Sequence, residues 1–141
     1  MNLRLSQLRS QFERLNIDAF LITFGPHLRY MSGFSGSSGV GVVTRNSSHL
    51  LTDGRYASQV KSEVKGWKIT ISREGLFEEV KKKRLLPAGM RVGFDGNTLV
   101  YSEFTRIRKS FPQVKFLPKV ECIETIAVIK DAQEISKIRK A

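Results

Sequence analysis

The chain has 141 residues, 40% apolar and 26% charged, enough for one globular domain with its own core, and no apolar run approaches the ~20 residues of a membrane-crossing helix. Its 24 Lys plus Arg against 13 Asp plus Glu leave +11, which points either to an acidic partner such as nucleic acid or to a piece of a longer protein whose remainder is acidic. The lone Cys122 excludes an internal disulfide and suits a reducing cytoplasm, and residues 1–14 lack the apolar block and cleavage site of a secretory signal.

Leu5, Leu8, Phe12 and Leu15 recur every three or four residues, the stripe of an amphipathic helix that Asn16 ends. The apolar run Ala19 to Thr23 reads as a buried strand, broken by Gly25-Pro26. A short turn or helix then leads to Tyr30. Val40 to Thr44 and His49 to Thr52 read as two strands joined by a turn at Asn46-Ser47-Ser48. Tyr56 to Val64 has Tyr56, Val60 and Val64 on one helical face, with Asp53 placed to cap it and Gly66 to end it. Trp67 to Ile71 alternates as a strand with one wetter face. Leu76 to Leu86 is a helix closed by Pro87, and Arg91 to Phe94 a short strand. Tyr101 to Ser110 is a third helix after the hairpin, and Val114 to Leu117 a last strand between Pro112 and Pro118. Strands alternating with helices, apart from the hairpin, predict an α/β three-layer sandwich. Its sheet is mixed and mostly parallel, with helices on both faces.

Between the first strand and the hairpin lies Arg29 to Gly41, Arg-Tyr-Met-Ser-Gly-Phe-Ser-Gly-Ser-Ser-Gly-Val-Gly. Gly33, Gly36, Gly39 and Gly41 supply backbone shapes that other residues reach at a cost. Ser32, Ser35, Ser37 and Ser38 bond their own backbone. A tight, ordered loop is expected, at the same end of the hairpin as the corner Thr52-Asp53-Gly54-Arg55-Tyr56.

The loop is no phosphate cradle: no lysine follows its last glycine, and the next element is a strand rather than a helix. It is no nucleophile elbow either, because Gly36-Ser37-Ser38-Gly39 differs in length and context. A Ser-His-Asp set drawing on His27 or His49 with Asp53 carries little weight. Neither histidine sits at ligand spacing with the other or with Cys122, so no metal ligand is expected. His27 reads as a structural or surface residue and His49 as a half-exposed strand residue. Arg55 either pairs with a nearby carboxylate or offers its fork to a substrate or interdomain carboxylate. Tyr56 starts a helix with its ring in the core. Lys81-Lys82-Lys83-Arg84 reads as a solvated helix face, since no aromatic residues interleave it for stacking on bases.

Tyr-Met-Ser-Gly-Phe-Ser-Gly-Ser-x-Gly at 30–39, followed by a strand pair and Thr-Asp-Gly-Arg-Tyr at 52–56, resembles the N-terminal domain of Xaa-Pro aminopeptidases and prolidases, to which creatinase is related. The resemblance implies the same sandwich fold and a domain without catalytic residues. In such enzymes a separate catalytic domain of the pita-bread type holds two divalent metals, manganese or cobalt. Its ligands are two Asp, one His and two Glu, and they would lie beyond Ala141. A metal-bridging hydroxide there attacks the bond before proline. The resemblance also implies a homodimer and a loop that walls the substrate pocket, which maps to Phe34, Ser35, Gly36, Ser37 and Ser38, with Arg55 and Tyr56 as interface candidates. The small polar loop favours an Xaa-Pro aminopeptidase over a dipeptidase.

Residues 1–128 are expected to form this domain and 129–141 a linker and the first turns of a catalytic-domain helix. Asp131 and Glu134 there have capping-box spacing, ahead of Ala132, Ile135, Ile138 and Ala141. The expected partners are the chain's own C-terminal catalytic domain, a second copy, and a proline-containing peptide. By itself the chain is expected to be inactive, without a cofactor, cytoplasmic and off the membrane. The competing reading is a free-standing basic α/β module that binds nucleic acid or an acidic protein.

Overall fold

The computed structural model describes residues 2–128. Six strands form one sheet: β1 (Ala19–Ile22), β2 (Gly39–Thr44), β3 (Ser48–Asp53), β4 (Lys68–Ser72), β5 (Arg91–Asp95) and β6 (Lys115–Lys119), in the spatial order β4-β3-β2-β1-β5-β6. The pairs β1–β5, β3–β4 and β5–β6 are parallel, while β1–β2 and the hairpin β2–β3 are antiparallel. The sheet is therefore mixed and mostly parallel, as the alternation of elements implied.

Alternation along β1 shows why two layers of helices are needed. Phe20 and Ile22 pack on one face with Leu5, Leu8 and Phe12 of α1 (Leu3–Arg9) and α2 (Phe12–Leu15). The same layer holds Leu28 and Met31 of α3 (Gly25–Ser32), Val60 of α4 (Ala57–Glu63), and Ile123 and Ile126 of a helical stretch over 122–128. Ala19 and Leu21 face the other way, onto Val80 of α5 (Leu76–Lys82) and Ile107 of α6 (Tyr101–Ser110). Each fully buried side chain of this size contributes roughly 1.5–3 kcal/mol by leaving water. Asp18 and Arg91 lock the register of β1 on β5: the Arg91 guanidinium donates to both Asp18 carboxylate oxygens, Nε to Oδ2 at 3.0 Å and Nη2 to Oδ1 at 2.8 Å. These bonds hold the Asp18 carboxyl down from 3.8 to about 2.

Several boundaries differ from expectation. The helix before the glycine loop is longer than a turn. Pro26 lies in the first turn of α3, where its fixed φ favours helix and its missing N–H costs nothing. Arg29 to Ser32 are therefore helical, and the loop shrinks to Gly33–Ser38, with Gly39 and Gly41 inside β2. Gly33 ends α3 in the left-handed region, φ +87°. The first helix is split into α1 and α2, and Asn16 closes the second at φ 58°. Helix α5 stops at Lys82 instead of running to Leu86. Arg84 adopts φ 55°, and the residue before Pro87 is disfavoured in helix. Strand β6 runs through Pro118, which an edge strand tolerates because one of its sides needs no N–H donor. No helix among the described residues is long and apolar enough to cross a membrane. The expected linker and helix over 129–141, with Asp131 and Glu134, lie outside the described residues.

Candidate functional site

The Gly33–Ser38 loop and the Asp53–Tyr56 corner meet at one end of the hairpin. Strands β2 and β3 bring them together, since Gly39 at the start of β2 pairs with Thr52 near the end of β3. Phe34 is the anchor. Its side chain is 1% exposed and meets the Tyr56 ring edge-on, centroids 5.6 Å apart. The backbone at Gly36 lies directly on these rings: a Cβ there would sit 2.3 Å from Phe34 Cζ and 2.9 Å from Tyr56 Cδ1. Glycine is required at 36 by space.

Each serine of the segment is tied to a named partner. The buried Ser32 hydroxyl donates to the Leu28 carbonyl at 2.6 Å and accepts from the Phe34 amide at 3.2 Å. Ser35 donates through its hydroxyl and its amide to the Glu63 carboxylate, at 2.7 and 3.1 Å. Gln59 Nε2 donates to that carboxylate at 2.7 Å and to the Ser35 hydroxyl at 2.9 Å. The Ser35 hydroxyl is the main reason the Glu63 pKa is lowered. Ser37 and Tyr56 share a hydrogen bond of 2.5 Å between hydroxyls, which lowers the Tyr56 pKa. Thr52 donates to the Ser38 carbonyl at 2.5 Å.

The corner is built by Asp53. Its carboxylate accepts the Arg55 amide at 3.0 Å, capping the 3₁₀ turn Gly54–Tyr56. It also takes the Arg55 guanidinium side-on, Nε to Oδ1 at 3.0 Å and Nη2 to Oδ2 at 2.8 Å. The Arg55 bonds hold the Asp53 carboxyl at about 2. Of the seven residues proposed from sequence, Phe34, Gly36, Ser37 and Tyr56 touch directly, Ser35 and Ser38 are pinned to α4 and β3, and the fork of Arg55 is engaged by Asp53.

This arrangement is a packed, polar-rimmed surface, and among the described residues neither histidine bonds a serine of the loop. His49 bonds Ser47 at 3.1 Å, at the far end of β3 from Asp53, so the Ser-His-Asp combination with His49 is not assembled. His27 lies in α3 and meets Glu124, Nε2 to Oε1 at 2.7 Å. With Asp95 these form a group whose ligand atoms all lie within 4.8 Å of one another. Sequence reasoning set His27 aside, because the three residues are 68 and 29 positions apart and no local spacing joins them.

Residues 4–129 match the model of the creatinase/prolidase N-terminal domain. The chain belongs to this family. It is 32% identical over 140 residues to the uncharacterized peptidase YqhT of Bacillus subtilis, an alignment that covers 99% of this chain and 39% of that protein. An Xaa-Pro dipeptidase from Bacillus anthracis has the same fold, TM-score 0.78 at 30% identity, over 88% of this chain and 35% of that one. An X-Pro aminopeptidase from Thermotoga maritima superposes with TM-score 0.79 at 28% identity, over 97% of this chain and 39% of that one. The chain thus spans about two fifths of the length of these relatives. The creatinase/prolidase N-terminal fold accounts for the order of elements.

Proposed function

We propose that this creatinase/prolidase N-terminal domain belongs to a proline-specific metallopeptidase and serves there as a non-catalytic wall and assembly surface. The observation that carries the reading is the Gly33–Ser38 loop, anchored by buried Phe34 and bonded at Ser35, Ser37 and Ser38. Such a loop can bound a substrate pocket and limit substrate length without taking part in bond cleavage. Arg55 and Tyr56 brace it from the corner. Family membership over nearly the whole chain supports this reading. A free-standing module that binds nucleic acid or an acidic protein is not favoured, because the resemblance to part of longer peptidases already accounts for an unbalanced positive charge.

The hydrolytic chemistry then belongs to a C-terminal catalytic domain, in which two divalent metals, manganese or cobalt, would polarise the scissile carbonyl and supply hydroxide. The described residues of this chain do not fit a dinuclear centre. The single candidate group, His27 with Asp95 and Glu124, has too few donors for the two-Asp, one-His, two-Glu set. No catalytic step is therefore assigned to this domain. Its own contribution is to hold the loop against the pocket, in the same protomer or across a homodimer. Val120 and Val128, 59% and 68% exposed near the end of the described residues, offer apolar surface for the adjoining domain. The small, uncharged loop tilts the substrate preference towards peptides longer than two residues, cleaved after the first residue by an aminopeptidase of the cytoplasm.

The test is a length series on the full reading frame that contains this chain. Xaa-Pro and Xaa-Pro-Yaa peptides are assayed with manganese or cobalt, for the native protein and for Ser37→Arg. Hydrolysis that favours the longer peptides, with Ser37→Arg reducing kcat/KM for those peptides more than for the dipeptide, is the expected result. Absence of Xaa-Pro cleavage overturns the enzyme reading. An equal effect of Ser37→Arg on all lengths overturns the role of the loop.

A further inference from the structure

We propose that His27, Asp95 and Glu124 form a binding site for a divalent transition-metal cation such as Zn²⁺ or Mn²⁺. The three come from separate elements: His27 from the first turns of α3, Asp95 from the last position of β5, and Glu124 from the helical stretch over 122–128. Their ligand atoms lie within 4.8 Å of one another. One imidazole with two carboxylates is the mixed nitrogen and oxygen set that zinc and manganese accept, whereas calcium and magnesium prefer oxygen alone.

The surroundings hold the donors as a metal site requires. Asp95 is only 8% exposed. The Thr98 hydroxyl donates to its Oδ2 at 2.6 Å, orienting the carboxylate as outer-shell partners do for metal ligands. Among the described residues no lysine or arginine forms an ion pair with Asp95 or Glu124, although the chain carries +11. The two carboxylates lie within 4.8 Å of each other and of the His27 ring, which pairs with Glu124. That ring is itself positioned edge-on against Phe24, centroids 4.9 Å apart.

The fold places the cluster where ligands collect in open α/β sheets. Strands β1 and β5 are parallel neighbours, and their carboxyl ends point the same way. The chain leaves β1 through α3 towards β2, and leaves β5 through α6 towards β6, on opposite flanks of the sheet. Such a divergence leaves a crevice at the strand ends.

Metal bonds of about 2.0–2.2 Å to imidazole nitrogen and carboxylate oxygen put opposite donors up to about 4.2 Å apart. The present separations, up to 4.8 Å, are wider than this and than the roughly 3.5 Å between donors of a tetrahedral ion. A rotation of Glu124, whose side chain is 49% exposed, opens its 2.7 Å contact with His27 and closes the set around an ion, with water in the remaining positions. The ion would join α3, β5 and the 122–128 helix, and so fix the direction in which the chain leaves the domain.

The experiment is calorimetric titration of the chelator-treated 141-residue chain with Zn²⁺, with Mn²⁺ and, as the all-oxygen control, with Mg²⁺. Alongside it, ¹⁵N NMR of the two histidine rings and thermal unfolding are recorded. One equivalent of Zn²⁺ or Mn²⁺ should bind, perturb His27 Nε2 and raise Tm. His27→Ala and Glu124→Gln should each weaken binding at least about tenfold, the lower bound for losing even an outer-shell support. His49→Ala, at the other histidine, should leave affinity unchanged. Circular dichroism on Glu124→Gln, a substitution at a half-exposed side chain, separates lost ligation from lost folding. Absence of stoichiometric binding of either metal, or binding that survives both His27→Ala and Glu124→Gln, overturns the site.

Discussion

The serine and glycine loop and the His27 cluster occupy different parts of the same sheet and are held by different means. In the loop, the chemistry-bearing residues fall within one stretch from Ser32 to Glu63, and a single hairpin folds that stretch back on itself. Its hydroxyls find partners two to twenty-eight residues away. Phe34 and Gly36 fit one another so closely that one residue excludes alternatives at the other. The cluster instead joins positions 27, 95 and 124, which only the crossover connections bring together. The loop is a packed object whose loss is felt in stability. The cluster is an arrangement of donors whose loss is felt in binding.

The largest expected effect tests the anchor. Phe34→Ala should cost about 3–5 kcal/mol in urea unfolding, as for other fully buried phenylalanines. A cost below about 1 kcal/mol would show that the loop is held by its serines alone. Gly36→Ala comes next. Its Cβ meets the Phe34 ring at 2.3 Å, and displacing a buried ring costs about 1–3 kcal/mol in overpacked cores. A neutral outcome would mean that ring and loop shift together.

Acid tests the corner of the loop and the edge of β1. Asp53 at the corner and Asp18 at the start of β1 both have folded pKa values lowered from 3.8 to about 2, chiefly by side-chain bonds from Arg55 and Arg91. A lowered folded pKa stabilises above the unfolded value, and that stability is lost as the carboxyl protonates. Stability should thus be level above about pH 4 and fall as pH drops from about 4 towards 2. Asp18→Asn should flatten part of this fall while lowering stability at neutral pH. A chain equally stable at both ends of that window would remove both pairs from the account.

The smallest expected change is at the cluster in metal-free protein. His27→Gln should shift the urea midpoint less than Gly36→Ala does, because its ring supports one edge contact and one half-exposed carboxylate. A larger shift would make His27 a packing residue and bring the two regions closer in kind.

Much of the loop was legible before folding was considered. The glycines and serines between Gly33 and Ser38, and the Asp-Gly-Arg-Tyr corner, announce a tight turn and a cap because those residue types bond and bend locally. Asp53 does cap, though it caps the 3₁₀ turn Gly54–Tyr56 and not the helix that follows, and Arg55 takes the nearby carboxylate. The limits of the loop were not legible. Pro26 extends α3 to Ser32, a helix-starting effect that outweighs the loop-forming look of Tyr-Met-Ser-Gly.

Periodicity by itself determined the alternation of strands and helices, the buried stripe of Leu5, Leu8 and Phe12, and the mixed sheet, because burial of apolar side chains follows the 3.6- and 2-residue repeats of the backbone. The two motifs at 30–39 and 52–56 carried the family. The tertiary structure alone decided that Gly36 lies on the Phe34 and Tyr56 rings, that Arg91 reaches Asp18, and that His27 faces Asp95 and Glu124. These contacts depend on strand order and on which side each crossover takes, and no local pattern of residues encodes either.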